Sequence, residues 1–281
     1  MNSAETNDEI QLITSQAAPL LTKFQNDINL NEVLFDRIRY VYENNDQKKL
    51  NSEQKTLLEK QYKGFVRNGA LLGKIEKKKL RMIDAKLAKL SLSFGQNILA
   101  ETQAYELHIK DEKKLRGLPD SLVEMTKSIA DKKGKKGWII TLDYPIYIPF
   151  ITYSEERELR KEITLAFGKR GYQKNKNNNT EIIIEIISLR KERAKLLGYN
   201  SHAEFILEER MASSVSEVKK FLDDLAIKAF PAAEKEWKAM NTFAKSKLNL
   251  KKLEKWDSAF VSEKMKKAQL DLDELELKPF F

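Results

Sequence analysis

Cysteine is absent from the 281-residue sequence, which removes disulfides, thiolate zinc sites and thiol nucleophiles together. That absence fits a reducing compartment. Histidine occurs only twice, at His108 and His202, too rarely for a histidine-rich metal site. Glycine (10) and proline (6) are scarce, and with leucine, isoleucine, lysine and glutamate prominent the mix favours helices over sheets. Long apolar runs are missing as well. The stretch Ile182 to Ile187 falls far short of the roughly 20 residues that a bilayer requires, so no membrane span is expected. The opening MNSAETNDEI has neither a basic patch nor an apolar core, does not read as a secretory signal, and points to a cytoplasmic location.

What is present is charge of both signs. The net charge of +9 comes from 51 Lys and Arg interleaved with 42 Asp and Glu. Such interleaving reads as a solvated helical surface rather than a nucleic-acid face. The strongest local pattern runs from Thr180 to Ala212. Ile182, Ile183, Ile184, Ile186 and Ile187 give one broad apolar face, continued by Leu189, Leu196 and Leu197. Gly198 stands where a left-handed residue closes a helix, and Ser201 with Glu204 forms a capping-box pattern that opens the next one.

Before this stretch the periodicity predicts a helix over 7–26 interrupted at Pro19. A second is capped by Asn31, and a third opens on Asn51 and Gln54 and ends at Asn68-Gly69. A long fourth runs from Lys74 to Tyr105. Short connections favour antiparallel neighbours. After Tyr105 the character changes. YELHI and the run from Trp138 to Leu142 read as strands, and Tyr147 to Thr152 as a further one behind Pro145. A helix between them starts at Pro119-Asp120 and ends in the KKGKKG turn. Helical patterns resume from Ser154. They are followed by the polar loop YQKNKNNN, by a long helix opened by Ser214 and Glu217 and kinked or divided at Pro231, and by a last piece from Trp256. The expected fold is mainly α: an antiparallel helix bundle or helical lobe with a minor short-stranded β element near residues 105–152. Its expected division is into helical hairpins over 1–110 and a helical lobe over 111–281.

Catalytic chemistry is hard to find. Neither His108 nor His202 begins a two-histidine, one-glutamate helical zinc motif. His202 with Glu204 could pair as acid and base, but Glu204 is better used in the capping box. His108 sits in an expected strand between Leu107 and Ile109. FGKRGY has too few glycines for a phosphate loop, and its helix precedes it. Asn177 to Asn179 read as loop and cap. Glu155-Glu156 and Asp223-Asp224 read as ordinary helical acids, and Lys74, Lys77, Lys78, Lys79 and Arg81 as a solvated face. Asp271, Asp273 and Glu274 lack the spacing of a calcium loop. No catalytic, cofactor-binding or metal-binding residue is assigned.

Four stretches together carry a family resemblance: LSLSFGQNILAET (Leu90 to Thr102), LPDSLVEM (Leu118 to Met125), EIISLRKERAKLLGYNSHAEFILEERMA (Glu185 to Ala212) and WDSAFVSEKMKKAQLDLDELELKPFF (Trp256 to Phe281). In order and spacing they resemble the thimet-oligopeptidase family of zinc metallopeptidases, closest to its bacterial peptidyl-dipeptidase (dipeptidyl carboxypeptidase) branch. The resemblance implies a mostly helical, two-lobed shell around a deep channel. It also implies one zinc held by a histidine–glutamate–x–x–histidine helix and a later glutamate, and cleavage of short peptides with release of C-terminal dipeptides. The chain itself looks like the central part of such an enzyme, stopping just before the zinc helix. Zinc is expected in the full-length family member and not in this chain. Short peptides are then the partners of the full enzyme, with no membrane and no nucleic acid. The 281 residues alone are expected to be inactive, and either to self-associate through Leu277, Pro279, Phe280, Phe281 and other uncovered apolar surface or to be only partly ordered beyond about Trp256. The contrasting expectation is a non-catalytic helical module that binds peptide or RNA.

Overall fold

A computed structural model describes residues 7–45 and 49–270. Its helices, in chain order, are α1 (Asp8–Asn29), α2 (Glu32–Asn44), α3 (Ser52–Arg67), α4 (Lys74–Ala104), α5 (Asp120–Lys132), α6 (Tyr144–Tyr153), α7 (Arg157–Gly168), α8 (Thr180–Leu196), α9 (His202–Leu207), α10 (Val215–Leu248) and α11 (Ser258–Leu270). Two strands, β1 (Leu107–Ile109) and β2 (Trp138–Ile140), pair antiparallel with His108 opposite Ile139. The chain divides into two compact units that interleave in sequence: 1–97 with 178–219, and 98–177 with 220–281.

In the first unit, helix starts follow the polar caps. The side chains of Asn7 and Asn31 accept hydrogen bonds from the Ile10 and Leu34 amides, and Asn51 with Gln54 forms a complete capping box. Such caps satisfy amides that a helix start leaves unpaired. Stacked rings of Phe35, Tyr62 and Phe65 with Ala70 form a small core between α2 and α3. The lysines expected on a solvated face are partly engaged. Lys77, only 8% exposed, pairs with Glu32, while Lys79 pairs with Glu192 and Arg81 with Asp27. Each tethers α4 to another helix, a use that a count of surface charges does not reveal.

The Thr180 to Ala212 stretch folds as a helix, a stop and a restart, but α9 is only six residues long and is followed by turns. Gly198 is left-handed (φ +87°), and the Tyr199 amide returns to the Ala194 carbonyl. The isoleucine face is largely uncovered: Ile184 is 58% and Ile187 61% exposed, and Ala194 is the only buried residue of α8.

The second unit has the larger core, built from β1, β2, α5, α6 and α7 around Ile140, Leu142, Ile146, Phe150 and Ile163. Here the structure corrects the expected strand at Tyr147 to Thr152, which is helical within α6. Pro145 falls in the first turn, where its missing N–H costs nothing. The segment is apolar nearly all round, as a helix sunk in a core should be, and such a run does not reveal its period. Pro19 and Pro231 likewise lie inside helices that continue past them.

Gly137 (φ +100°) brings the chain into β2 so closely that a Cβ there would stand 2.3 Å from the Ile109 carbonyl oxygen. A Cβ at Gly198 would meet no atom within 4 Å. Gly198→Ala should therefore cost only the left-handed strain, about 1–2 kcal/mol. Gly137→Ala should cost more, because backbone must move. Paired urea unfolding curves check the order.

Candidate functional site

Three clusters of charged side chains stand out, and each is built by helix ends. In the second unit α7 places Arg157 and Arg160 three residues apart, and the short 3-10 turn at Lys255–Asp257 presents Asp257 to both. Arg157 Nε and Nη2 donate to the carboxylate at 2.9 and 2.8 Å, and Arg160 Nη2 donates at 3.0 Å. The Glu254 amide adds a further bond at 3.1 Å. Arg160 also donates to the carbonyls of Ser154 and Trp256 and lies over the Phe260 ring. Burial pushes the Asp257 carboxyl up, but these hydrogen bonds outweigh it and hold the group below the usual aspartate range. A carboxylate with its lone pairs so occupied is a strut, not a base.

The loop from Gly171 to Asn177 is organised by Glu101, which is 7% exposed. Its carboxylate accepts from the Gly171 amide and the Asn175 side chain, both at 2.7 Å. Arg170 donates to Thr102 and stacks on Phe167. In the first unit, Arg67 lies over Phe205, donates to its carbonyl and pairs with Glu208, while Tyr199 donates to the same carboxylate. Burial pushes Glu208 up, and the bonds from Tyr199 and Arg67 bring it below its ordinary value. Lys63 pairs with Glu209 at 2.8 Å.

The structure places each residue weighed from sequence in a local setting. Glu204 accepts from the Asn200 amide at 3.0 Å while Ser201 caps the Glu204 amide, so the carboxylate serves the helix start. His202 Nδ1 is buried without a hydrogen-bond partner, and the ring stacks toward Phe205. Burial, and then Arg190 and Arg193, push its pKa down, which keeps it neutral at physiological pH. His108 lies on β1 with Nε2 2.7 Å from the Lys136 carbonyl oxygen. The two histidines belong to different units. Asn178 caps the Thr180 amide, and buried Asn179 donates to the Phe94 carbonyl, as loop-and-cap roles require. Glu155 and Glu156 pair with Lys264 and Arg116. Asp271, Asp273, Glu274 and the apolar residues from Leu277 to Phe281 lie outside the described residues.

A zinc ion needs three or four nitrogen, sulfur or oxygen ligands converging on one point. Among the described residues no group of three or more His, Asp or Glu side chains does so, and the donor set here does not fit that metal. No helix among them is long and apolar enough to cross a membrane.

Sequence reading missed the Arg157–Arg160–Asp257 cluster as a unit. The Trp256-Asp257 pair was visible as part of a packing signature, whereas an arginine inside an amphipathic helix gives no sign of being buried.

Residues 150–281 match the family described as Peptidase family M3. The whole chain is 31% identical to oligopeptidase A of Salmonella typhimurium over 285 residues, which cover 42% of that protein. It is 30% identical to organellar oligopeptidase A of Arabidopsis thaliana, covering 36% of it. Against dipeptidyl carboxypeptidase of Escherichia coli it is 28% identical, again along its full length and covering 41%. The chain thus spans about two fifths of the length of the curated relatives it matches.

Proposed function

We propose, on the premise that the chain belongs to peptidase family M3, that it forms part of the channel wall of a zinc peptidase and that these 281 residues do not cleave peptides alone. The observation that carries this is the donor set. Among the described residues no group of three or more His, Asp or Glu side chains could hold a metal ion, and the two histidines lie in different units. Alignment along the full length to proteins named for peptidase activity supports the substrate class, short peptides. Release of C-terminal dipeptides is the finer activity in this reading, supported by the dipeptidyl carboxypeptidase relatives.

The test is hydrolysis of blocked tri- and tetrapeptides by the purified 281-residue chain, with added zinc and with a chelator. No turnover is expected in either arm. Zinc-dependent release of a dipeptide would overturn the reading.

Uncovered apolar side chains support one further part of it, association of the chain. On α10, Phe221 is 65%, Leu225 52% and Phe230 68% exposed, and on α1 Leu20 and Leu21 are 66% and 67% exposed. Neighbouring apolar groups left in water favour self-association. Sedimentation velocity should show oligomers whose population rises with protein concentration, and Phe221→Glu with Phe230→Glu should shift the population toward monomer.

A further inference from the structure

We propose that the basic hollow beside the β1–β2 pair, lined by His108, Lys110, Lys135, Lys136 and Gly137, binds a compact oligoanion of the di- or triphosphate type. The inference is independent of the peptidase reading.

The strand register builds the hollow. Ile109 lies opposite Trp138, so the next positions outward bring Lys110 beside Gly137. The left-handed Gly137 turns the chain tightly there and carries Lys135 and Lys136 to the same end of the sheet. The bond between His108 Nε2 and the Lys136 carbonyl fixes that turn. The resulting cavity is about 340 Å³. Three of its four side chains are lysines, and the fourth is His108.

Charge balance there is positive. Glu106 takes two lysines at once, Lys133 at 2.6 Å and Lys135 at 2.5 Å, and so neutralises only one. Hydrogen bonds from those two lysines hold the Glu106 carboxyl at about 2, so it stays fully ionised. Asp111 is engaged in capping the turn at Glu112–Leu115. Lys110 and Lys136 make no ion pair with the described residues, so their charge is available to a ligand.

The chemistry selects the ligand class. Ammonium groups are compact point charges with no planar fork to match a single carboxylate. Several of them around one hollow suit an anion with multiple charges and oxygens facing several ways, which a chain of phosphates provides.

Isothermal titration of the full 281-residue chain with sodium tripolyphosphate at low ionic strength tests this. We expect saturable binding at a single site that weakens as salt is raised. Lys110→Ala with Lys136→Ala should weaken it by about tenfold or more, the loss expected for charged hydrogen bonds. Lys219→Ala with Lys220→Ala, which removes the same charge elsewhere, should leave it unchanged. Glu106→Gln should tighten binding by releasing Lys133 and Lys135. Absence of binding, equal loss in both double variants, or Glu106→Gln without tightening would each overturn the proposal.

Discussion

Replacing Asp257 by alanine will lower the unfolding free energy by about 3–5 kcal/mol, the cost typical of removing one partner from a buried ion pair. The side chain is fully buried and Arg160 is 1% exposed. Alanine at 257 leaves the Arg160 guanidinium without its counterion and without water. Arg157 is 36% exposed and can recover part of its hydration, so Arg160 dominates the loss. Arg160→Met in the Asp257→Ala background should therefore restore stability, because the stranded charge goes with it. A double-mutant cycle in guanidinium measures this coupling. The pH dependence has a definite sign. Asp257 is depressed in the folded state, so its contribution is complete above the ordinary aspartate pKa of about 3.9 and is lost progressively as pH falls from there through its lower folded-state value. Asp257→Ala should flatten that part of the acid limb. A loss below about 1 kcal/mol would place the cluster among solvated surface pairs.

Phe150→Ala should cost about 3–5 kcal/mol, as large-to-small changes in packed cores do. Phe150 is fully buried and belongs to the cluster with Ile140, Leu142, Ile146 and Ile163. The same substitution at Phe230, which is 68% exposed on α10, should change the stability of the monomer by no more than about 0.5 kcal/mol. Equal effects at the two positions would mean either that α6 is not the core helix described or that α10 is covered in solution. Repeating the Phe230 measurement across protein concentrations separates these outcomes.

These two predictions mark what the sequence made legible. Helix starts were readable because caps are local chemistry. Asn31, Asn51, Ser201 and Ser214 bond to amides within four residues, and each does so in the structure. The strand pair was readable from β-branched and aromatic residues bounded by the KKGKKG turn. α6 was not, because a segment buried on every side has no polar face to reveal its period, and its two prolines suggest extended chain. The Asp257 cluster escaped because it joins residues about a hundred positions apart, and each arginine alone looks like an ordinary helical charge. The family resemblance was legible for the opposite reason: four packing signatures in order carry the likeness, and none depends on an assigned catalytic residue.

Zinc content is the most direct check on the central proposal, that these residues belong to the wall and not to the catalytic centre of a family M3 peptidase. A trace of contaminating host enzyme can hydrolyse a peptide, but it cannot place one zinc on every chain. Native mass spectrometry of the purified chain, equilibrated with stoichiometric zinc and washed, should show the metal-free mass as the dominant species. A dominant species one zinc heavier, lost on addition of a chelator, would contradict the account.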